Sequence, residues 1–215
     1  MGVEAKVCGL RRAEDAAVAV AGGASYLGII LVPGSRRVVS ALEARAIVGA
    51  AAARPVFGVF ASDDADAILK MRDVTGIRGA QLHGSCSAET VVRLREEGML
   101  VWRVARVAGR ADAAAVADGP PAVDAVLVEP RVEGALGGTG TALDVELGRL
   151  ARSALHGRKM VLAGGLRPDT VAAAVAAIGP DVVDVSSGVE AAPGTKDPAL
   201  IKSFLEALVG DHPSP

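Results

Sequence analysis

The chain has 215 residues and a formal net charge of −2 at pH 7, enough length for one large core and a charge that excludes a broad basic surface for nucleic acid or anionic lipid. One Trp, one Tyr and three Phe are too few for a base-stacking platform. The hydrophobic content of 51% is mostly alanine and valine, which suits short helices of small residues packed on branched strands.

In chain order, strand-like runs alternate with helix-like segments. Ala5–Cys8 reads as a short strand and Arg12–Gly22 as its helix, then Tyr26–Leu31 with Ser40–Ala53, and Val56–Phe60 with Asp63–Val74. Gly79–Leu82 precedes the helix Ser87–Glu97, whose cap falls near Ser87 and Thr90, and Leu100–Val104 precedes Arg110–Ala117. Ala125–Val128 leads to Leu143–Ala154, Met160–Leu162 to Pro168–Ala177, and Val182–Val185 to Pro198–Val209. Eight such units predict an α/β fold, a single-domain (β/α)8 TIM barrel over residues 1–209, with Gly210 to Pro215 as a frayed tail. An open doubly wound sheet is the rival, but it usually has fewer units and reverses its strand order.

The N-terminus resembles neither a signal nor a transit peptide, and no apolar run is long enough to span a bilayer. Cys8 and Cys86 are too few for a disulfide framework. The expected location is the cytoplasm, with neither membrane nor nucleic acid as partner. A small alanine-rich barrel suits a monomer or a homodimer equally.

In a barrel the chemistry sits at the C-terminal strand ends. The last two parallel strands end in Ala163-Gly164-Gly165 and Ser186-Ser187-Gly188. Small residues there let backbone N–H groups approach an anion, so Gly164, Gly165, Ser187 and Gly188 form a candidate phosphate cup. Gly137-Gly138-Thr139-Gly140, in the long loop after the sixth strand, adds Gly138 and Gly140 to it. The stretch lacks the Lys-Ser/Thr ending of a nucleotide P-loop, so a phosphosugar fits better than ATP. Cys8 closes the first strand; it is either a small buried hydrophobe or a general base whose thiol a nearby positive charge brings down. His83 is more often a hydrogen-bonded structural residue than a ligand. Cys8, His83 and Cys86 on different strands do not make a metal site, and none is expected. Asp184, inside the last strand, needs a hydrogen-bond partner.

Several pieces in this order, each at a strand end, resemble the phosphoribosylanthranilate isomerase family. They are Lys6-Val-Cys-Gly-Leu10, Gln81-Leu-His-Gly84, Gly137-Gly-Thr-Gly140 before Leu143-Asp144, Leu162-Ala-Gly-Gly-Leu166, and Asp184-Val-Ser-Ser-Gly-Val-Glu190 with Pro193-Gly-Thr-Lys-Asp197. The resemblance implies an Amadori isomerase of tryptophan biosynthesis acting on a small phosphoribosyl compound. It makes Cys8 the base that removes the sugar C2 proton and Arg37 the partner of the anthranilate carboxylate, with Arg36 pointing elsewhere. His83 joins the substrate contacts. The family's acid is an Asp at the end of the sixth strand, where this chain has Glu129, one methylene longer; Glu133 lies in the same loop. An imine intermediate is its own electron sink, so no cofactor is expected. Two other readings stay open: the related isomerase of histidine biosynthesis or a dual-substrate barrel, against which Cys8 speaks, and a phosphosugar-binding barrel without catalysis.

Overall fold

The computed structural model of the chain describes residues 2–132 and 140–209. Its eight parallel strands are β1 Glu4–Val7, β2 Tyr26–Ile30, β3 Val56–Phe60, β4 Gly79–Leu82, β5 Leu100–Val107, β6 Ala125–Pro130, β7 Met160–Ala163 and β8 Val182–Val185. They close in sequence order, β8 pairing with β1. The helices between them are α1 Ala13–Ala21, α2 Ala41–Ala50, α3 Ala65–Thr75, α4 Ala88–Glu96, α5 Arg110–Ala114, α6 Val145–Ala154 and α7 Val171–Ile178, with α8 Pro198–Val209 after β8. The barrel expected from the alternation is the fold observed.

Local chemistry sets the helix starts. Ser40 and Glu43 form a reciprocal capping box on α2, and Ser87 accepts from the Thr90 N–H at the start of α4. Asp64 and Asp144 cap α3 and α6 in the same way. Four boundaries differ from expectation by three residues, one of them the end of α2, which lies at Ala50 rather than Ala53. β5 runs on to Val107 because it stays paired with β6 as far as Val107↔Pro130. α5 ends at Ala114, and α7 starts at Val171 after a turn in which the Arg167 N–H donates to Thr170 Oγ1. Between β8 and α8 the chain adds a 3-10 turn, Ser187–Val189, and an antiparallel hairpin of β9 Glu190–Ala192 and β10 Thr195–Lys196.

Side chains alternate across each strand. Those facing out meet the helices and form the main apolar core, in which Val7, Leu27, Ile29, Leu82 and Val183 are fully buried. Those facing in stack as layers. At the N-terminal end Tyr26, Phe57 and Trp102 pack edge to face or tilted, with ring centroids 4.2–5.8 Å apart. Three of the chain's five aromatic residues are thus spent on one floor, and burial contributes about 1.5–3 kcal/mol for a side chain the size of Phe. Above the floor lie Lys6, Gln81 and Asp184, and above these the inward residues at the C-terminal ends.

Candidate active site

The turns expected to form a phosphate cup come together in the structure. Gly140, Gly164, Gly165, Ser187 and Gly188 line one cleft, together with Glu129 and Asp184. Gly188 has no alternative there, because a Cβ would collide with the carbonyl oxygen of Leu166. Gly138 and Glu133 lie outside the described residues.

Glu129 is 7% exposed and inward-facing. Its Oε1 shares a 2.9 Å hydrogen bond with His83 Nε2 and lies 3.5 Å from Arg106 Nε. Arg106 is its register partner across β5 and β6, and also donates from Nη2 to the His83 carbonyl at 2.9 Å. His83 thus holds the carboxylate, which is a different use from the substrate contact expected of it. Because both neighbours meet the same oxygen, Oε2 has no hydrogen-bond partner among the described residues.

Cys8 follows β1 with its backbone N–H donating to the Val185 carbonyl at 2.8 Å, and it is 5% exposed. The expectation of a lowered thiol fails. Burial pushes the thiol up; Lys6 pulls against that, Asp184 reinforces it, and Lys196 pulls down from the other side. The positive charges are present, but desolvation of the thiolate outweighs them.

Arg37 has a partner that the sequence did not indicate. Arg36 is exposed and Arg37 turns inward, as the sequence implied, yet its guanidinium is not open. Nε and Nη2 donate to the two oxygens of Glu190 at 2.7 and 2.9 Å. Nη1 has no hydrogen-bond partner among the described residues. The Arg37 stem crosses Gly9 beside Cys8: a Cβ on Gly9 would meet Arg37 Cδ at 2.8 Å, and Gly9 also has φ +73°.

Glu190 accepts further bonds from Lys196 Nζ at 3.0 Å and the Gly194 N–H at 3.1 Å. Burial raises its carboxyl, but Arg37, Lys196 and the Gly194 N–H prevail and hold it at about 2, against an ordinary 4.5. A carboxyl depressed by folding stabilises the fold fully above its unfolded value and loses that contribution as pH falls through its folded value. Between pH 4.5 and about 2 the protein should therefore lose about 3 kcal/mol through this one group. Guanidinium unfolding over that window should show the loss in the wild type and a shallower pH slope in Glu190→Gln; equal slopes would contradict the assignment.

Lys6, Gln81, Arg106, Glu190 and Lys196 are site residues that sequence reasoning passed over. Lys6 left a signal: two positions before Cys8 it must face inward with it, and a buried lysine needs a carboxylate. That carboxylate is Asp184, 3.0 Å away, whose expected hydrogen-bond partner is thereby identified. Cys86 is a free, half-buried thiol in the loop before α4.

The comparisons agree with this geometry. A family model described as N-(5'phosphoribosyl)anthranilate (PRA) isomerase matches residues 5–207. A relative of that name from Granulibacter bethesdensis is 42% identical over 217 residues, covering 97% of this chain and 99% of its own. The crystal structure of phosphoribosyl anthranilate isomerase from Thermus thermophilus superimposes with a TM-score of 0.84 at 31% identity, over 96% of this chain and 98% of that one. Another isomerase of this name was solved with reduced 1-(o-carboxyphenylamino)-1-deoxyribulose 5-phosphate; it has a TM-score of 0.81 at 30% identity, with 96% and 98% covered. No helix among the described residues is long and apolar enough to cross a membrane. The chain belongs to the N-(5'-phosphoribosyl)anthranilate isomerase family.

Proposed function

We propose that this chain converts N-(5-phosphoribosyl)anthranilate to 1-(2-carboxyphenylamino)-1-deoxyribulose 5-phosphate with Glu129 as acid and Cys8 as base. Glu129 protonates the furanose ring oxygen, and the C1–O bond breaks to leave an iminium. The Cys8 thiolate then takes the C2 proton, the electron pair moves to the imine, and the resulting enolamine gains a proton at C1 and loses the proton of its C2 hydroxyl to become the ketone. The free edge of Arg37 meets the anthranilate carboxylate while Glu190 holds the other edge. The turns at Gly140, Gly164, Gly165, Ser187 and Gly188 take the phosphate through backbone N–H groups. The observation that carries this reading is the cleft in which Glu129 and the glycine turns face each other.

The enzyme works in the cytoplasm as a monomer or homodimer. The test is turnover of two substrates side by side, phosphoribosylanthranilate and the larger phosphoribosyl compound of histidine biosynthesis. The expected result is turnover of the first alone, seen as loss of its fluorescence. Turnover of both would establish a dual-substrate barrel, and phosphosugar binding without turnover would establish a binding protein.

A further inference from the structure

Lys6 is the largest charged group sealed in the barrel, with 0% exposure. An ammonium has three N–H donors. One goes to Gln81 Oε1 at 2.8 Å and one to Asp184 Oδ1 at 3.0 Å. The third has no hydrogen-bond partner among the described residues. A Cβ on Gly28 would meet Cys8 Sγ at 2.8 Å and Lys6 Nζ at 3.1 Å, so both atoms converge on the space that this glycine leaves open.

Charge around the thiol is unbalanced. Lys6 on β1, Lys196 on β10 and Arg37 after β2 are three cations; Asp184 on β8 and Glu190 on β9 are their only ion-pair carboxylates among the described residues. Glu129, in the same cleft as Asp184, is paired with His83 and Arg106; within the remaining set one positive charge is left over, and a thiolate at Cys8 cancels it. Lys196 is less suited to that task, because its ammonium already meets three acceptors, the Ser186 carbonyl at 2.8 Å, Glu190 at 3.0 Å and Ser186 Oγ at 3.5 Å.

We infer that Lys6 is a positioning residue for the isomerase reaction: held by Gln81 and Asp184, its ammonium shares the space over Gly28 with Cys8 Sγ and stabilises the thiolate that accepts the C2 proton. Lys6 keeps its own proton throughout; the proton moves from substrate carbon to sulfur. The inference rests on Cys8 being the base. It agrees with the direction in which the groups act on the thiol, Lys6 being the largest influence opposing burial and Asp184 acting the other way.

The test follows two readouts against pH in a Cys86→Ser background, where Cys8 is the only thiol: the ultraviolet absorbance of the thiolate, and kcat/KM. Lys6→Met should move the alkaline rise of both to higher pH and lower kcat/KM at neutral pH roughly tenfold. Asp184→Asn, which removes a negative charge and frees Lys6, should move the thiolate absorbance to lower pH. If Lys6→Met does not fold, Lys6→Gln keeps a donor for Asp184 while losing the charge, and the same upward shift is expected. An unmoved thiolate titration in the lysine variants, with activity lowered equally at every pH, would reduce Lys6 to a structural residue. Undiminished turnover in Cys8→Ser would instead refute the base assignment, whatever the absorbance titrations show.

Discussion

Cys8→Ser should lower kcat by about 10³- to 10⁴-fold, the upper range for loss of a general base. A hydroxyl in the same place is a far weaker acid than a thiol, so almost no alkoxide would exist to take a carbon-bound proton. Folding should be spared, because the replacement is nearly isosteric and the backbone N–H still donates to Val185. In the wild type, burial holds the thiol above its ordinary 9.0. Turnover should therefore keep rising into alkaline pH, where the thiolate becomes populated. Stopped-flow traces of substrate fluorescence across pH would check both points, and a rate already level at neutral pH would contradict the second.

Glu129→Gln should cost about 10²- to 10³-fold in kcat, because an amide keeps the shape and can still bond His83 but has no proton of the required acidity. Glu129→Asp is the more informative change. It restores the residue implied by the family resemblance, yet withdraws the carboxylate by one methylene from His83, now at 2.9 Å, and from Arg106, now at 3.5 Å. A displacement of that order can lose about 10²-fold where positioning matters. The loss in Glu129→Asp should appear in kcat with KM little changed. Full activity in Glu129→Gln would remove it from the acid role, whereas full activity in Glu129→Asp would show that its reach to His83 and Arg106 is dispensable.

The order of strands and helices was legible because each unit carries its own period and several helices carry a cap, as at Ser40 and Ser87. The meeting of the glycine turns in one cleft was legible for a related reason: Gly164, Gly165 and Gly188 each follow the strand that positions them. Other parts were not. The Arg37–Glu190 pair joins residues 153 positions apart, and nothing local in either segment names the other. The hairpin that carries Glu190 and Lys196 is only three residues against two, too short for any alternation to register. The thiol's direction of shift was misread because a neighbouring cation can be guessed from a sequence, whereas the degree of solvent exclusion depends on the assembled layers. Lys6 stood between these cases: its inward direction followed from parity with Cys8, but its company followed only from barrel closure.

The Lys6–Asp184 bond joins residues 178 positions apart in a chain of 215. During synthesis the sulfur of Cys8 leaves the ribosome well before the groups that enclose it from β8, β9 and β10. A growing chain thus has no means of building the surroundings of this thiol early, since they require nearly the whole barrel. Contacts of such long separation also slow collapse to the native topology. The order of appearance makes catalytic competence a late event, one that coincides with sealing of the seam between the first and last strands.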